Sequence, residues 1–200
     1  MANVDRKRGF RPAKSLIGAP WTALVRSYPA VSGRSGTNNS GDIYIGDSVE
    51  LDGNGNVIPH VTAGNNVLGV VVGVGKDNSD TALNTDKAKR YYDPDNLSKR
   101  YLAHDEEGYV GVVPAEACLF IVQAGAETLN IGDSRDIATV STTARGSRTT
   151  GNSTQSLGTT SAAPDAKVVE MVDAPDNDPT DAGGLADYIV KFVNHENAIN

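Results

Sequence analysis

The stretch Ile43-Tyr-Ile-Gly-Asp-Ser-Val-Glu-Leu51, followed by Asp52-Gly-Asn-Gly-Asn56 and Val57-Ile-Pro-His-Val61, decides the fold. Two runs rich in β-branched residues flank a turn made of residues that tolerate positive φ, which is a hairpin signature. The first run reads as one or two short strands bent at Gly46-Asp47. A second turn, Ala63-Gly-Asn-Asn66, leads into Val67-Leu-Gly-Val-Val-Val-Gly-Val74. That run is apolar at consecutive positions, which predicts a strand covered on both faces.

Downstream the same alternation of short run and turn continues. Residues 76–99 are polar and read as a surface excursion, with a weak helical stripe in Thr85-Asp-Lys-Ala-Lys-Arg-Tyr-Tyr92. Strands are predicted at 100–105, 109–113 and 117–123, with a turn at Glu106-Glu-Gly108 and a bend at Pro114. Leu129-Asn-Ile-Gly-Asp-Ser-Arg-Asp-Ile137 echoes residues 43–51 through a shared Ile-Gly-Asp-Ser. Four shared residues read as convergent turn chemistry in preference to a repeat. Residues 141–164 read as a long loop whose sole bulky aliphatic is Leu157. Two strands close the chain, at 166–172 and 186–193; in the second, Tyr188, Val190 and Phe192 share one face. Short strands at regular spacing predict an all-β chain: an antiparallel barrel or sandwich core over residues 41–200, with an extended N-terminal arm and flexible linker over residues 1–40.

The arm differs from the body in charge. The first 34 residues hold seven Lys/Arg against Asp5 alone, a net of +6, so the remainder carries −13 within a chain of −7. Such asymmetry marks a segment that reaches outside its own domain. Arg6, Lys7, Arg8, Arg11 and Lys14 are expected to meet an acidic surface, with Arg26 continuing the basic character. Phe10, Trp21 and Tyr28 are expected to fill apolar pockets on a neighbouring subunit, since aromatic and Arg residues dominate interface energetics. Pro12, Pro20 and Pro29 restrict the free segment and lower the entropy lost on docking. Residues 1–30 are therefore expected to make few contacts with the chain's own core.

Chemistry is sparse. Cys118 lies in the apolar run Ala117-Cys-Leu-Phe-Ile-Val122 and reads as a buried small hydrophobe. Gly75-Lys76 fails as a phosphate loop, because Val70 stands where its first Gly belongs and Asp77 where Ser or Thr must hold Mg²⁺. Asp52-Gly-Asn-Gly-Asn56 fails as a calcium loop, having Val57 at the sixth position and Ala63 at the twelfth. His60, His104 and His195 lie in separate segments with no zinc spacing. His104-Asp105-Glu106-Glu107, read as strand, points its side chains to opposite faces. No enzyme activity, cofactor or metal is expected. The charged start has no apolar stretch behind it, so no signal peptide is expected, and no run is long enough for a membrane helix.

The opening Met1-Ala-Asn-Val-Asp5, then Gly9-Phe-Arg-Pro12 and Gly18-Ala-Pro-Trp21, resembles small structural proteins encoded in tailed-bacteriophage head gene clusters. Those chains start with a similar Met-Ala-Asn-Val-Asp, a Phe-Gly-Leu-Arg-Pro and an Asn-Gly-Ala-Pro-Trp. The likeness continues in Ile45-Gly-Asp-Ser-Val49, Val67-Leu-Gly-Val-Val-Val-Gly73, Arg100-Tyr-Leu-Ala-His-Asp105, Leu119-Phe-Ile-Val-Gln123 and Val190-Lys-Phe-Val-Asn-His195, nearly the whole chain. It departs at Arg6-Lys-Arg8, where such relatives have a short Ala-Pro-Phe-like run, and in the excursion at 76–99. The resemblance implies a capsid decoration, or cement, protein on the outside of the virion, made in the bacterial cytoplasm, with the major capsid protein as partner. It also implies a homotrimer, for which the doubly covered run at 67–74 would supply a subunit contact. A tail or head-completion protein is the alternative virion reading. A nucleic-acid binder rests on Arg6-Lys-Arg8 alone and is not expected; a membrane partner is not expected either.

Overall fold

The computed structural model describes residues 3, 5, 8–34, 41–76, 101–125, 127–138, 145–160, 163–178 and 184–196. The excursion at 76–99 and its helical stripe lie outside the described residues, apart from residue 76. The strands are β1 (Arg11–Ser15), β2 (Arg26–Ala30), β3 (Ile43–Tyr44), β4 (Ser48–Leu51), β5 (Val57–Pro59), β6 (Gly69–Lys76), β7 (Tyr101–Leu102), β8 (Gly108–Pro114), β9 (Cys118–Gln123), β10 (Ser134–Arg135), β11 (Ile137–Ala138), β12 (Ser156–Leu157), β13 (Ala166–Met171) and β14 (Asp187–Phe192). A 3-10 helix, Trp21–Leu24, joins β1 to β2. The strands form two antiparallel sheets, ordered β2-β8-β6-β4-β5 and β1-β9-β14-β13-β10, packed in a sandwich-like arrangement, with two small two-stranded sheets, β3-β7 and β11-β12.

The hairpin at 52–56 forms as its turn chemistry requires. The Asp52 carboxylate accepts the N–H groups of Asn54 and Asn56, both at 2.8 Å, and Gly55 takes φ +81°. The covered run becomes β6, paired to β4 on one edge and β8 on the other. Val67 and Val70 enter one apolar cluster with Phe120, Val190 and Phe192, while Leu68, Val71 and Val74 enter a second with Val49, Val110 and Val112. Both faces of the run are thus covered within one chain, and the subunit contact expected from it is not needed.

The two sheets are two copies of one unit, which overturns the reading of Ile-Gly-Asp-Ser as convergence. In the first, β6 pairs β8 through Val70↔Val113 and Val71↔Val112, then a bulge, then Gly73↔Gly111 and Val74↔Val110. In the second, β13 pairs β14 through Lys167↔Lys191 and Val168↔Val190, then a bulge, then Glu170↔Ile189 and Met171↔Tyr188. The other pairings keep step: Arg26↔Val112 and Tyr28↔Val110 match Phe120↔Val190 and Val122↔Tyr188. Ser48↔Val70 matches Ser134↔Lys167, and Leu51↔Val57 matches Ile137↔Leu157. Thus β2, β4, β5, β6 and β8 correspond to β9, β10 with β11, β12, β13 and β14.

The shared tetrapeptide makes the same device in each unit. Asp47 N–H donates to the Tyr44 carbonyl and Asp133 N–H to that of Asn130, both at 3.1 Å. The Asp carboxylates reach back to the Tyr44 and Asn130 N–H groups at 2.8 and 3.0 Å. Gly46 (φ +91°) and Gly132 (φ +95°) supply the positive φ that such a turn needs at its third residue. Each Gly N–H then donates to the central strand, to Val71 at 2.8 Å and Val168 at 2.9 Å, while that residue's N–H donates to the following Asp. This is a glycine bulge that starts the strand and increases its twist.

Candidate interaction surface

The N-terminal segment does not hang free. Phe10 is 1 % exposed in the chain's own core, its ring centroid 5.1 Å from that of Phe192. Its N–H donates to the Gly46 carbonyl at 2.8 Å. Close approach requires glycine just before it, because a Cβ on Gly9 would strike the Gly46 carbonyl and lie 2.5 Å from Ser153 Cβ. β1 then pairs with β9, and β2 pairs with β8 over five residues. Upstream, the Asn3 side chain exchanges hydrogen bonds with the Asp178 backbone at 2.6 and 2.9 Å.

Over the described residues from 8 to 30, these facts correct the expectation of few contacts with the chain's own core. Phe10 fills an internal site, and Trp21 and Tyr28 are half-buried against the two apolar clusters. The reason is that the sheets need edge strands, and this segment supplies one to each. Of the cationic positions, Arg8, Arg11, Lys14 and Arg26 are exposed, while Pro12 is half-buried within β1. Arg11 pairs with Asp187 at 3.1 Å. Arg6 and Lys7 lie outside the described residues. Exposed basic side chains therefore stand on or beside two edge strands, β1 of one sheet and β2 of the other.

Between β1 and β2 lies a cavity of about 430 Å³, lined by Ile17, Leu24, Val25, Pro114 and Ala117, with Arg26 and Glu116 as its charged members. Leu16 is 45 % and Ile17 64 % exposed beside it. No reactive group lines it, so what it offers is apolar contact.

The most heavily charged interior group is one that the sequence reading passed over. His60 is fully buried, with Nδ1 2.9 Å from Glu50 and Nε2 3.4 Å from Asp165. Burial pulls the imidazole pKa down, but Asp165 and Glu50 push it further the other way, and the net shift is upward. Asp165 also accepts the N–H groups of Gly64 and Ile137 at 2.8 and 2.9 Å. Burial raises its pKa while His60 and those N–H groups lower it, leaving it net lowered. Arg145 donates to the His60 carbonyl at 2.6 Å. Asp47, buried, is pushed up to about 6 despite Arg145 and a hydrogen bond from Ser153. Glu50 and His60 belong to the first unit and Asp165 to the second, so the group ties the two together. His60 and Asp165 are fully buried and Glu50 nearly so, which suits a lock between the units. Its sequence signal was a charge set among apolar strand residues, Glu50 between Val49 and Leu51.

A second polar group fastens the described part of the long loop. Arg148 Nε reaches the buried Asp42 carboxylate at 2.9 Å and its guanidinium lies 5.6 Å from the centre of the Tyr101 ring. Asp42 also takes the Tyr44 hydroxyl and the His104 N–H, each at 2.9 Å. Gln155 accepts the Ser48 N–H at 2.7 Å. The expected long loop is, over 145–157, partly an interior structure: Arg145, Ser153, Gln155 and Leu157 are all buried. His104 and Asp105 form a turn where the expected strand 100–105 would end, just ahead of the turn expected at Glu106-Glu-Gly108, and the region is held by the buried Arg34, which donates to the carbonyls of Gly41, Val31, Glu106 and Ala103. Burial pulls the Arg34 pKa down to about 10. Cys118 is buried as expected, and burial raises its thiol pKa.

Comparison with protein-family models, with curated proteins and with solved structures finds no match to this chain.

Proposed function

We propose that this protein is a decoration, or cement, protein of a tailed-bacteriophage head, binding the outside of the shell and clamping neighbouring major capsid protein subunits. The observation that carries the reading is the sequence resemblance at Met1-Ala-Asn-Val-Asp5, Gly9-Phe-Arg-Pro12 and Gly18-Ala-Pro-Trp21; the second of these runs leads into β1 and the third into the 3-10 helix. An all-β body with exposed Arg8, Arg11, Lys14 and Arg26 on or beside its edge strands supports it, because edge strands add to a neighbour's backbone while their side chains select the site. Several weak contacts joined in one body raise avidity by roughly 10²–10⁴. Binding to the assembled lattice in preference to free subunits stabilises the shell by mass action. Self-association as a homotrimer is part of the proposal.

The test is co-sedimentation of the protein with undecorated heads, for wild type and for the triple variant R8E/K14E/R26E. These side chains are exposed, so the variant is expected to fold, and it should occupy the heads at least tenfold less well. Raising salt should weaken the wild type, because exposed charges are screened beyond about 10 Å at 0.1 M. Failure of the wild type to bind heads, or equal binding by the variant, overturns the proposal.

A further inference from the structure

The turn between β4 and β5 carries a chemistry that the strands do not use. Asn54 is followed by Gly55, and no other asparagine in the chain precedes a glycine. Both residues are exposed at the tip of the hairpin, beyond the last pair, Leu51↔Val57. Gly55 has φ +81°, and a Cβ placed on it would meet nothing within 4 Å, so the Asn54–Gly55 peptide is uncrowded. Its nitrogen is tied by one hydrogen bond, to the Asp52 carbonyl at 3.1 Å, and exposed turns open locally at low free energy. Asn56, Asn66 and Asn130 precede Val57, Val67 and Ile131, whose branched side chains obstruct the corresponding nitrogen. Asn177 and Asn194 have their amides bound to backbone carbonyls. Asp52-Gly53, the chain's one Asp–Gly pair, is a weaker competitor. One Asp52 oxygen accepts the Asn54 and Asn56 N–H groups, both at 2.8 Å, and the other the Asn56 amide at 3.1 Å. Those bonds, from Asn56 first, hold its pKa below the ordinary value, and an ionised carboxylate is a poor electrophile.

We propose that Asn54 is a modification site, deamidating spontaneously in the folded protein to aspartate and isoaspartate. The Gly55 backbone nitrogen gives up its proton to solvent base and attacks Asn54 Cγ. The N–Cγ bond forms, the Cγ–Nδ2 bond breaks, and the amide nitrogen takes up a proton and leaves as ammonia. Water then opens the cyclic imide at one of its two carbonyls, which gives aspartate or isoaspartate at position 54. Glycine at position 55 favours the closure, because it has no side chain to hinder the ring and adapts its backbone freely. The product places a new negative charge beside Asp52, whose carboxylate already accepts the Asn54 N–H. Isoaspartate also lengthens the backbone inside the turn that sets the register of β4 against β5. That hairpin carries Glu50 and leads into His60, two members of the buried charged group. The inference stands apart from the function proposed above.

Incubation of the full-length protein in mildly alkaline buffer without denaturant tests it, with ion exchange to separate the acidic product and peptide mapping by mass spectrometry to locate it. Asn54 should convert about tenfold faster or more than any other asparagine, since it alone precedes glycine. The rate should rise with pH, because the attacking nitrogen must lose its proton. Asn54→Gln, an exposed replacement that needs a larger ring to close, should abolish the fast-forming acidic species. The wild type alone decides the main point, so the folding of the variant does not limit the test. Absence of conversion at Asn54, or earlier conversion of another asparagine, overturns the inference. So does conversion confined to protein unfolded in urea, which would show that the folded turn protects Asn54. Persistence of the fast acidic species in Asn54→Gln places the reaction elsewhere and overturns it too.

Discussion

Gly46 and Gly132 occupy the same position of the same turn, at φ +91° and +95°, yet their surroundings differ. A Cβ on Gly46 would lie 2.5 Å from the Arg8 carbonyl oxygen, whereas a Cβ on Gly132 would meet nothing within 4 Å. Gly132→Ala should therefore cost only the left-handed conformation, about 1–2 kcal/mol. Gly46→Ala adds a collision with the backbone that leads into Phe10, so it should cost clearly more. Equilibrium unfolding in urea measures both, and equal losses would contradict this account. The need for glycine was legible in Ile-Gly-Asp-Ser at both places. The difference in cost was not, because it depends on a segment more than thirty residues away packing over one turn and not the other.

At the scale of elements, β1 and β2 are the main departure from the sequence reading. The segment is basic, Pro-rich and without an apolar period, and such composition suits a free arm. A strand on a sheet edge needs little more than an extended backbone and one or two buried side chains, and Phe10 and Ala30 meet that need. Phe10→Ala should cost about 3–5 kcal/mol, as for other buried aromatic truncations. Deleting residues 2–15 should do more. It removes Phe10 from between Gly46 and Phe192 and strips the partner from β9, leaving an open edge of the kind that promotes aggregation. Thermal unfolding and light scattering check this; a truncated protein as stable and soluble as the full chain would restore the free-arm reading.

For the whole molecule, the buried Glu50–His60–Asp165 group sets the pH response, because it ties the two units together. The groups facing His60 are Glu50 from β4, Asp165 from the approach to β13, and Arg145, which donates to its carbonyl. A histidine whose folded pKa is raised contributes stability that is full below its ordinary value of about 6.5 and is lost as pH rises through the folded value. Asp47, raised to about 6, acts in the same direction at lower pH, since the folded state holds its proton longer than the unfolded chain. Asp165 acts oppositely: its lowered pKa gives stability that is lost as pH falls through the folded value. The melting temperature should therefore decline from pH 6 towards pH 9, measured by calorimetry. His60→Gln should flatten that decline and cost about 3–5 kcal/mol at pH 6, the scale for breaking a buried ion pair. A decline that persists unchanged in His60→Gln would refute the role of His60.

The strands near 43–61, 67–74, 109–113, 117–123, 166–172 and 186–193 were legible in the sequence because apolar pattern and turn residues are local properties. So was the burial of Tyr188, Val190 and Phe192 on one face of β14, which follows from the two-residue period alone. Only the tertiary structure decided the duplication, because the two units share registers and bulges while their side chains diverge: Val71 and Val112 correspond to Val168 and Val190, but Leu68 corresponds to Asp165. Register is carried by backbone hydrogen bonds, which many sequences can make, so four residues of Ile-Gly-Asp-Ser were its only clear trace. The place of the N-terminal segment was decided the same way, by which sheet edges lacked a partner, and the convergence of Glu50, His60 and Asp165 by how the two units pack. Those are relations between distant parts of the chain, and local pattern does not contain them.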